Sequence, residues 1–370
     1  MLRDKLLFSG GLVILTIQLL TITPDLVTVS DFNFGDIIEV SDRSGSFLRS
    51  GQLALGLNQY DSITFTGDIM LARHVEVLMS RHGQDYPFKS MKLTTLSENS
   101  AVIGNFESAM SLQHKRTPAG NLRFSTNQIY LPALSAAGFT HLSLANNHSL
   151  DYGQAGYSNT EESLLKNDIQ PFGFRPKSEE MATYLNTTAG VVAVVGFNDS
   201  DLGLNFEKAA AEIRELAKKS DLQIAYIHWG EEYQSTHSAR QERLARILVE
   251  AGVDLIVGHH PHVVQDVGVI EGVPVFYSLG NYIFDQYFST FVQEGLVLKL
   301  NLDSIPSISL IPVSSLGSLS QPQTLTGEAK VEFLYRLANR SAAEFQDTIK
   351  QGFVPLPEMV ATSSKIAMMF

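Results

Sequence analysis

The 370-residue chain contains no cysteine. Disulfides, thiolate zinc sites and cysteine nucleophiles are therefore excluded together, and any metal must be held by His, Asp, Glu or Asn. Basic side chains are scarce too. Against 39 Asp and Glu there are 27 Lys and Arg, the net charge is −12, and no Lys/Arg-rich run interrupts that balance. Such a chain is no general nucleic-acid binder. There is one tryptophan, Trp229. No A-x-A-like cleavage site follows the apolar amino-terminal run.

That run spans residues 6–23, is uncharged, follows Arg3 and Lys5, and ends at Pro24 and Asp25. Basic residues before an apolar stretch and acidic ones after it give an N-in, C-out orientation. The reading is an uncleaved signal anchor over 1–24, with a cleaved signal peptide as the alternative. The main domain would then lie outside the cytoplasm on a single-pass membrane anchor. Residues 25–60, with the patch Ser41-Asp-Arg-Ser-Gly-Ser46, read as a partly ordered linker. A domain over 61–315 and a carboxy-terminal helix and tail over 316–370 complete the division.

Histidine is the chemistry-bearing residue that is present. The strand-like Asp254 to Val257 ends in Gly258 and releases His259, His260 and His262 within four positions. Neutral imidazoles at the end of a rigid strand suit divalent transition metals. In extended backbone His260 and His262 point the same way, and Pro261 restricts φ between them.

The same layout recurs along the chain. Strand-like runs end in Gly67-Asp68, Gly104-Asn105-Phe-Glu107, Asn146-Asn147-His148, His228-Trp229-Gly230 and Ser278-Leu-Gly-Asn281, with helical patterns between most of them. Polar residues at the carboxyl ends of strands predict one cleft along a sheet edge. The runs 294–300 and 308–313 are expected to pair antiparallel at the sheet edge, where Pro312 is tolerated. One helix is expected over 328–351.

Taken jointly, Gly67-Asp68-Ile-Met-Leu-Ala-Arg73, Gly104-Asn105-Phe-Glu107, Leu144-Ala-Asn-Asn-His148 with Asp151-Tyr-Gly153, His228-Trp-Gly230, Gly258-His-His-Pro-His262 and Ser278-Leu-Gly-Asn281 resemble the bacterial capsule-synthesis family CapA (PgsA), associated with poly-γ-glutamate. That family is in turn similar to the calcineurin-like metallophosphoesterases. The resemblance covers about Ser62 to Gln286. It implies a four-layer α-β-β-α sandwich and one or two divalent metal ions, Mn, Zn or Fe.

By the resemblance Asp68, Asn147, His228, His260 and His262 are metal ligands and His148 the catalytic histidine. Asn105 and Glu107 stand where a bridging aspartate is expected, and Met70 where a histidine is; a thioether is a poor ligand for hard ions. One firm metal and a second held less tightly are implied.

Around these, Arg73 is either an anion-neutralising residue or a surface arginine. Trp229 is a site wall or core, and Asn281 is read as contacting substrate. Glu231 and Glu232 read as exposed charges, and His74, His82, His114 and His237 as surface residues. Two functions fit: a membrane-anchored, metal-dependent hydrolase acting in the envelope on a phosphoester or γ-glutamyl-type amide, or a non-catalytic accessory subunit of a capsule polymer synthesis and export complex. A purely structural protein does not explain six polar strand ends.

Overall fold

A computed structural model describes residues 59–91, 93, 96, 99–173, 181–201, 203–302 and 306–356. The expected anchor, and all of the linker but its last two residues, lie outside the described residues. Among the described residues no helix is long and apolar enough to cross a membrane.

In chain order the elements are β1 (Ser62–Ile69), α1 (Arg73–His82), β2 (Ser100–Phe106), α2 (Leu131–Ala136), β3 (His141–Ser143), α3 (Gly153–Leu165), β4 (Gln170–Phe172), β5 (Ala182–Thr187) and β6 (Gly190–Asn198). Then follow α4 (Phe206–Leu216), β7 (Leu222–His228), α5 (Ala239–Ala251), β8 (Leu255–His259), β9 (Val267–Ile270), β10 (Val273–Phe276), β11 (Asn281–Ile283), β12 (Glu294–Asn301) and β13 (Ser307–Ser314). The last are β14 (Gln323–Thr324), α6 (Gly327–Arg340), α7 (Gln346–Gln351) and β15 (Phe353–Pro355).

The strands form two mixed sheets. One runs β14-β13-β12-β1-β2-β3-β4, with β11 also paired to β1 and β15 to β13; the other runs β5-β6-β7-β8-β10-β9. Within them β1 to β4 are mutually parallel, as are β6, β7, β8 and β10.

Three cores set the layers. Ile63, Phe65 and Ile103 of the first sheet meet Val192, Ile224, Tyr226 and Val257 of the second in a core between the sheets. Alternate residues of the same strands, Val102 and Phe106 among them, pack outward against Val75 and Met79 of α1, Leu134 of α2 and Leu164 of α3. On the far side Val195, Ile227 and Ile256 meet Ile213 of α4 and Leu248 of α5. Strands buried on both faces need apolar residues at both parities, which is why these runs read as continuous rather than alternating.

Two expectations are corrected. The antiparallel pair β12–β13 exists, but β12 is internal, beside β1, and the sheet continues outward to β14. The single helix at 328–351 is broken at Ser341, which has extended backbone. Its hydroxyl donates to the Leu337 carbonyl and accepts from Val267 N, while Ala342 N donates to Val267 O, so β9 captures the chain where the helix stops. Beyond residue 315, β14 and β15 join the first sheet and α6 contributes Phe333, Leu334 and Leu337 to the core between the sheets.

Candidate metal centre

Parallel strands carry their carboxyl ends to one rim, and there β1, β2, β7 and β8 release Asp68, Asn105 and Glu107, His228, and His259 to His262. Gly67 permits the approach: a Cβ there would fall on the Gly280 carbonyl oxygen, at the entry to β11. Ligand-type atoms within 4.8 Å of one another form three overlapping groups: Asp68, His228 and His259; Glu107, His228 and His260; Asp68, Glu107 and His262. All of these side chains are buried.

The contacts are specific. His259 Nδ1 lies 2.8 Å from His228 Nδ1 and 3.4 Å from Asp68 Oδ1, and His262 Nδ1 lies 3.2 Å from Asp68 Oδ2. His228 Nε2 faces Asn147 Oδ1 at 3.0 Å. His259 Nε2 and His260 Nδ1 are buried without a hydrogen-bond partner. Buried polar atoms ordinarily find partners, and orphaned imidazole nitrogens beside two carboxylates form a donor set of mixed N and O type that fits a divalent transition cation.

Electrostatics separate the two acids. Burial pushes Asp68 up, but contacts to His259 and His262 outweigh it and hold the carboxyl well below its usual range. Burial, and then the Asp68 charge, push Glu107 well above the usual range. Burial depresses His228, His259 and His260, the last to about 3, so these imidazoles are neutral and available as ligands.

The backbone differs from the expectation of extended geometry at the histidines. His260 (φ +101°) and His262 (φ +58°) both have positive φ, as do Arg73 (+49°) and Tyr233 (+64°) near the same rim. Four of the seven non-glycine residues with positive φ among the described residues therefore surround this cluster. Each such conformation costs on the order of 1–3 kcal/mol and persists where the surroundings enforce it, commonly at functional sites.

At the mouth, His148 is half-buried. Its Nδ1 lies 3.0 Å from Asp151 Oδ2, its Nε2 3.8 Å from Glu107 Oε1, and its ring stacks on Phe124 with centroids 4.0 Å apart. Asp151 also accepts from Phe124 N at 2.6 Å, tying both partners of that stack together.

The other candidate residues have defined partners. Asn105 is central: its amide nitrogen donates to Asp68 Oδ1 (2.8 Å) while its oxygen accepts from Asn146 (3.0 Å). Arg73 turns its Nε/Nη2 edge to Asp285 and lies over Phe124 and Phe284. Trp229 is core, not site wall: it is fully buried against Tyr277 and donates Nε1–H to the Tyr277 carbonyl at 2.8 Å. Asn281 is also buried; its Oδ1 faces His262 Nδ1 at 2.9 Å and its amide is used by Gln286 and Val292. It orients the His262 ring. Met70 is buried in the outer core and accepts from Ala72 N.

Of the four histidines read as surface residues only His82 is exposed. His74 meets Tyr287, His114 lies 2.9 Å from Glu76, and His237 stacks on Tyr277 beside Asp266. Glu231 and Glu232 are exposed, as expected. His259, which stands in the same histidine run, joins the candidate ligands. Asp151 orients His148 across an i, i+3 spacing that is visible in the sequence.

Residues 62–286 match the family described as "Bacterial capsule synthesis protein PGA_cap". A capsule biosynthesis protein CapA of Bacillus anthracis is 36% identical over 290 residues, covering 72% of this chain and 70% of that one. A PGA biosynthesis protein CapA of Bacillus subtilis (strain 168) is 34% identical over 253 residues, covering 64% and 66%. Among solved structures, a phosphatase from Mycoplasma pneumoniae superposes with a TM-score of 0.47 at 12% identity, over 70% of this chain and 95% of that one.

Proposed function

The chain belongs to the bacterial capsule synthesis protein family PGA_cap, and from that premise we propose that it is a metal-dependent hydrolase of metallophosphoesterase type, acting on a phosphoester or amide during capsule or poly-glutamate synthesis. One observation carries this reading. Asp68, Glu107, His228, His259, His260 and His262, scattered over nearly 200 positions of sequence, gather into three overlapping groups, each with ligand-type atoms within 4.8 Å of one another. Attachment to the cell membrane through residues 6–23, and an envelope polymer or the membrane subunits of a synthesis complex as partners, belong to the same proposal.

A divalent cation, when bound, supplies Lewis acidity to an ester or amide oxygen and acidity to water. Mn, Zn and Fe all suit the donor set. The chain's own residues supply the rest. Asp68 and Glu107 provide anionic oxygens, and the imidazoles of His228, His259, His260 and His262 provide nitrogens. Asn281 fixes the ring of His262 through Nδ1. Asp151 accepts from His148 Nδ1, leaving Nε2 turned toward the cluster to hold or deliver a proton to a leaving group. Phe124 covers one face of that ring and limits its rotation.

The test is metal analysis of the purified protein together with a phosphoesterase and peptidase substrate panel, on wild type, His260→Ala and His148→Ala. His260→Ala should lose metal. His148→Ala should keep metal and lose turnover by about 100-fold or more, the scale of general acid–base catalysis. If both variants retain full metal and no form hydrolyses anything, the accessory-subunit reading replaces the enzyme.

A further inference from the structure

Tyr233 has no part in the chemistry above, yet it is placed with unusual care. It lies between β7 and α5, five residues beyond His228, with left-handed backbone at φ +64°. A bulky residue adopts that conformation only when its surroundings impose it.

Two ties impose it. Tyr233 N–H donates to the Pro261 carbonyl at 2.8 Å, fastening the loop to the turn between His260 and His262. Its hydroxyl accepts from Gln286 Nε2 at 3.1 Å; Gln286 Oε1 accepts from Asn281 Nδ2 at 3.0 Å, and Asn281 Oδ1 faces His262 Nδ1 at 2.9 Å. Hydrogen bonds thus run from the molecular surface to a ligand-type imidazole. Burial, and then Glu232, raise the phenol's pKa, so the hydroxyl serves as a hydrogen-bonding group and not as a proton donor in turnover.

The ring itself is not consumed by packing. It remains 44% exposed, with its centroid 6.2 Å from that of His262 and 5.3 Å from an edge-on Phe288 that is 68% exposed. A strained side chain tethered to the site at two points, with an open aromatic face, is arranged to meet something that arrives from solvent.

We propose that Tyr233 is a specificity and positioning residue. Together with Phe288 it forms an aromatic platform for a planar group, an aryl ester or an amide plane, adjoining the group held at the cluster, and through Gln286 and Asn281 it steadies His262. The proposal rests on the reading of the cluster as a cation site that binds an anionic or carbonyl group.

The experiment titrates full-length, manganese-loaded wild type, Tyr233→Phe and Tyr233→Asn with phenylphosphonate and methylphosphonate by calorimetry, alongside thermal unfolding. Wild type should prefer the phenyl ligand on the order of tenfold, the scale of one aromatic pair. Tyr233→Phe should keep that preference. Tyr233→Asn should lose it without a fall in Tm, because Asn enters the left-handed region more readily. Should Tyr233→Asn fail to fold, Phe288→Ala at an exposed position makes the same comparison.

A Tyr233→Asn protein with lowered Tm and an unchanged phenyl preference would make Tyr233 a packing residue and overturn the platform. Equal binding of the two phosphonates by wild type overturns it too, while leaving the cation site standing. If neither phosphonate binds the manganese-loaded wild type, the reading of the cluster fails and the platform falls with it.

Discussion

His259 ends β8 with one ring nitrogen 2.8 Å from His228 and the other buried without a partner. The metallophosphoesterase likeness puts a histidine where Met70 stands, and in space His259 brings an imidazole to within 3.4 Å of Asp68. On the proposed reading, His259 supplies from β8 the ligand that β1 lacks. His259→Ala should weaken metal binding by more than about 100-fold, since an outer-shell partner alone is worth 10- to 100-fold. His82→Ala, at an exposed position, should leave it unchanged. Metal content after dialysis against graded chelator decides the matter, and equal retention by both variants would remove His259 from the ligand set.

At the scale of the element, the strands that carry the site also carry a pH liability. His141 opens β3, is buried, and has its pKa lowered to about 4 from 6.5 by that burial. An imidazole with a depressed folded-state pKa binds fewer protons than the unfolded chain between those two values. Stability is therefore intact above about pH 6.5 and falls away as pH drops toward 4. The fall attributable to His141 is about 3 kcal/mol, from about 1.4 kcal/mol per pKa unit. In urea unfolding of the metal-free protein at pH 7 and pH 4, His141→Gln should shrink the loss by that order. An identical loss in the two proteins would mean that burial of His141 carries no proton linkage.

Over the whole molecule, the two sheets are held in register by parts far apart in sequence. Helix α6 lies against β9 of one sheet and β13 of the other, and Leu337 is fully buried in the core between them. Leu337→Ala should cost about 2–5 kcal/mol, the usual range for a leucine truncated inside a packed core. Val331→Ala, at an exposed position on the same helix, should stay within about 0.5 kcal/mol. Chemical denaturation of both variants measures the contrast. A Leu337→Ala protein as stable as wild type would show that the carboxy-terminal segment merely rests on the domain.

Much of this protein is legible in the linear chain because its signals are local. Apolar runs ending in Gly-Asp, Gly-Asn or Gly-His mark strands whose carboxyl ends hold polar groups, and the strands β1, β2, β7 and β8 lie where those runs stand. Asp68, Glu107, His228, His260 and His262 stand at those strand ends, and the family likeness is what implies their role as ligands. What required the tertiary structure is everything set by partners distant in sequence. Arg73 has one edge of its guanidinium held by Asp285, 212 residues on. Trp229 turns away from the site because the Tyr277 carbonyl lies behind it. Asn281 faces His262 and not solvent. Periodicity reports which face of an element is buried; only the packed molecule decides which neighbour claims each polar atom on it.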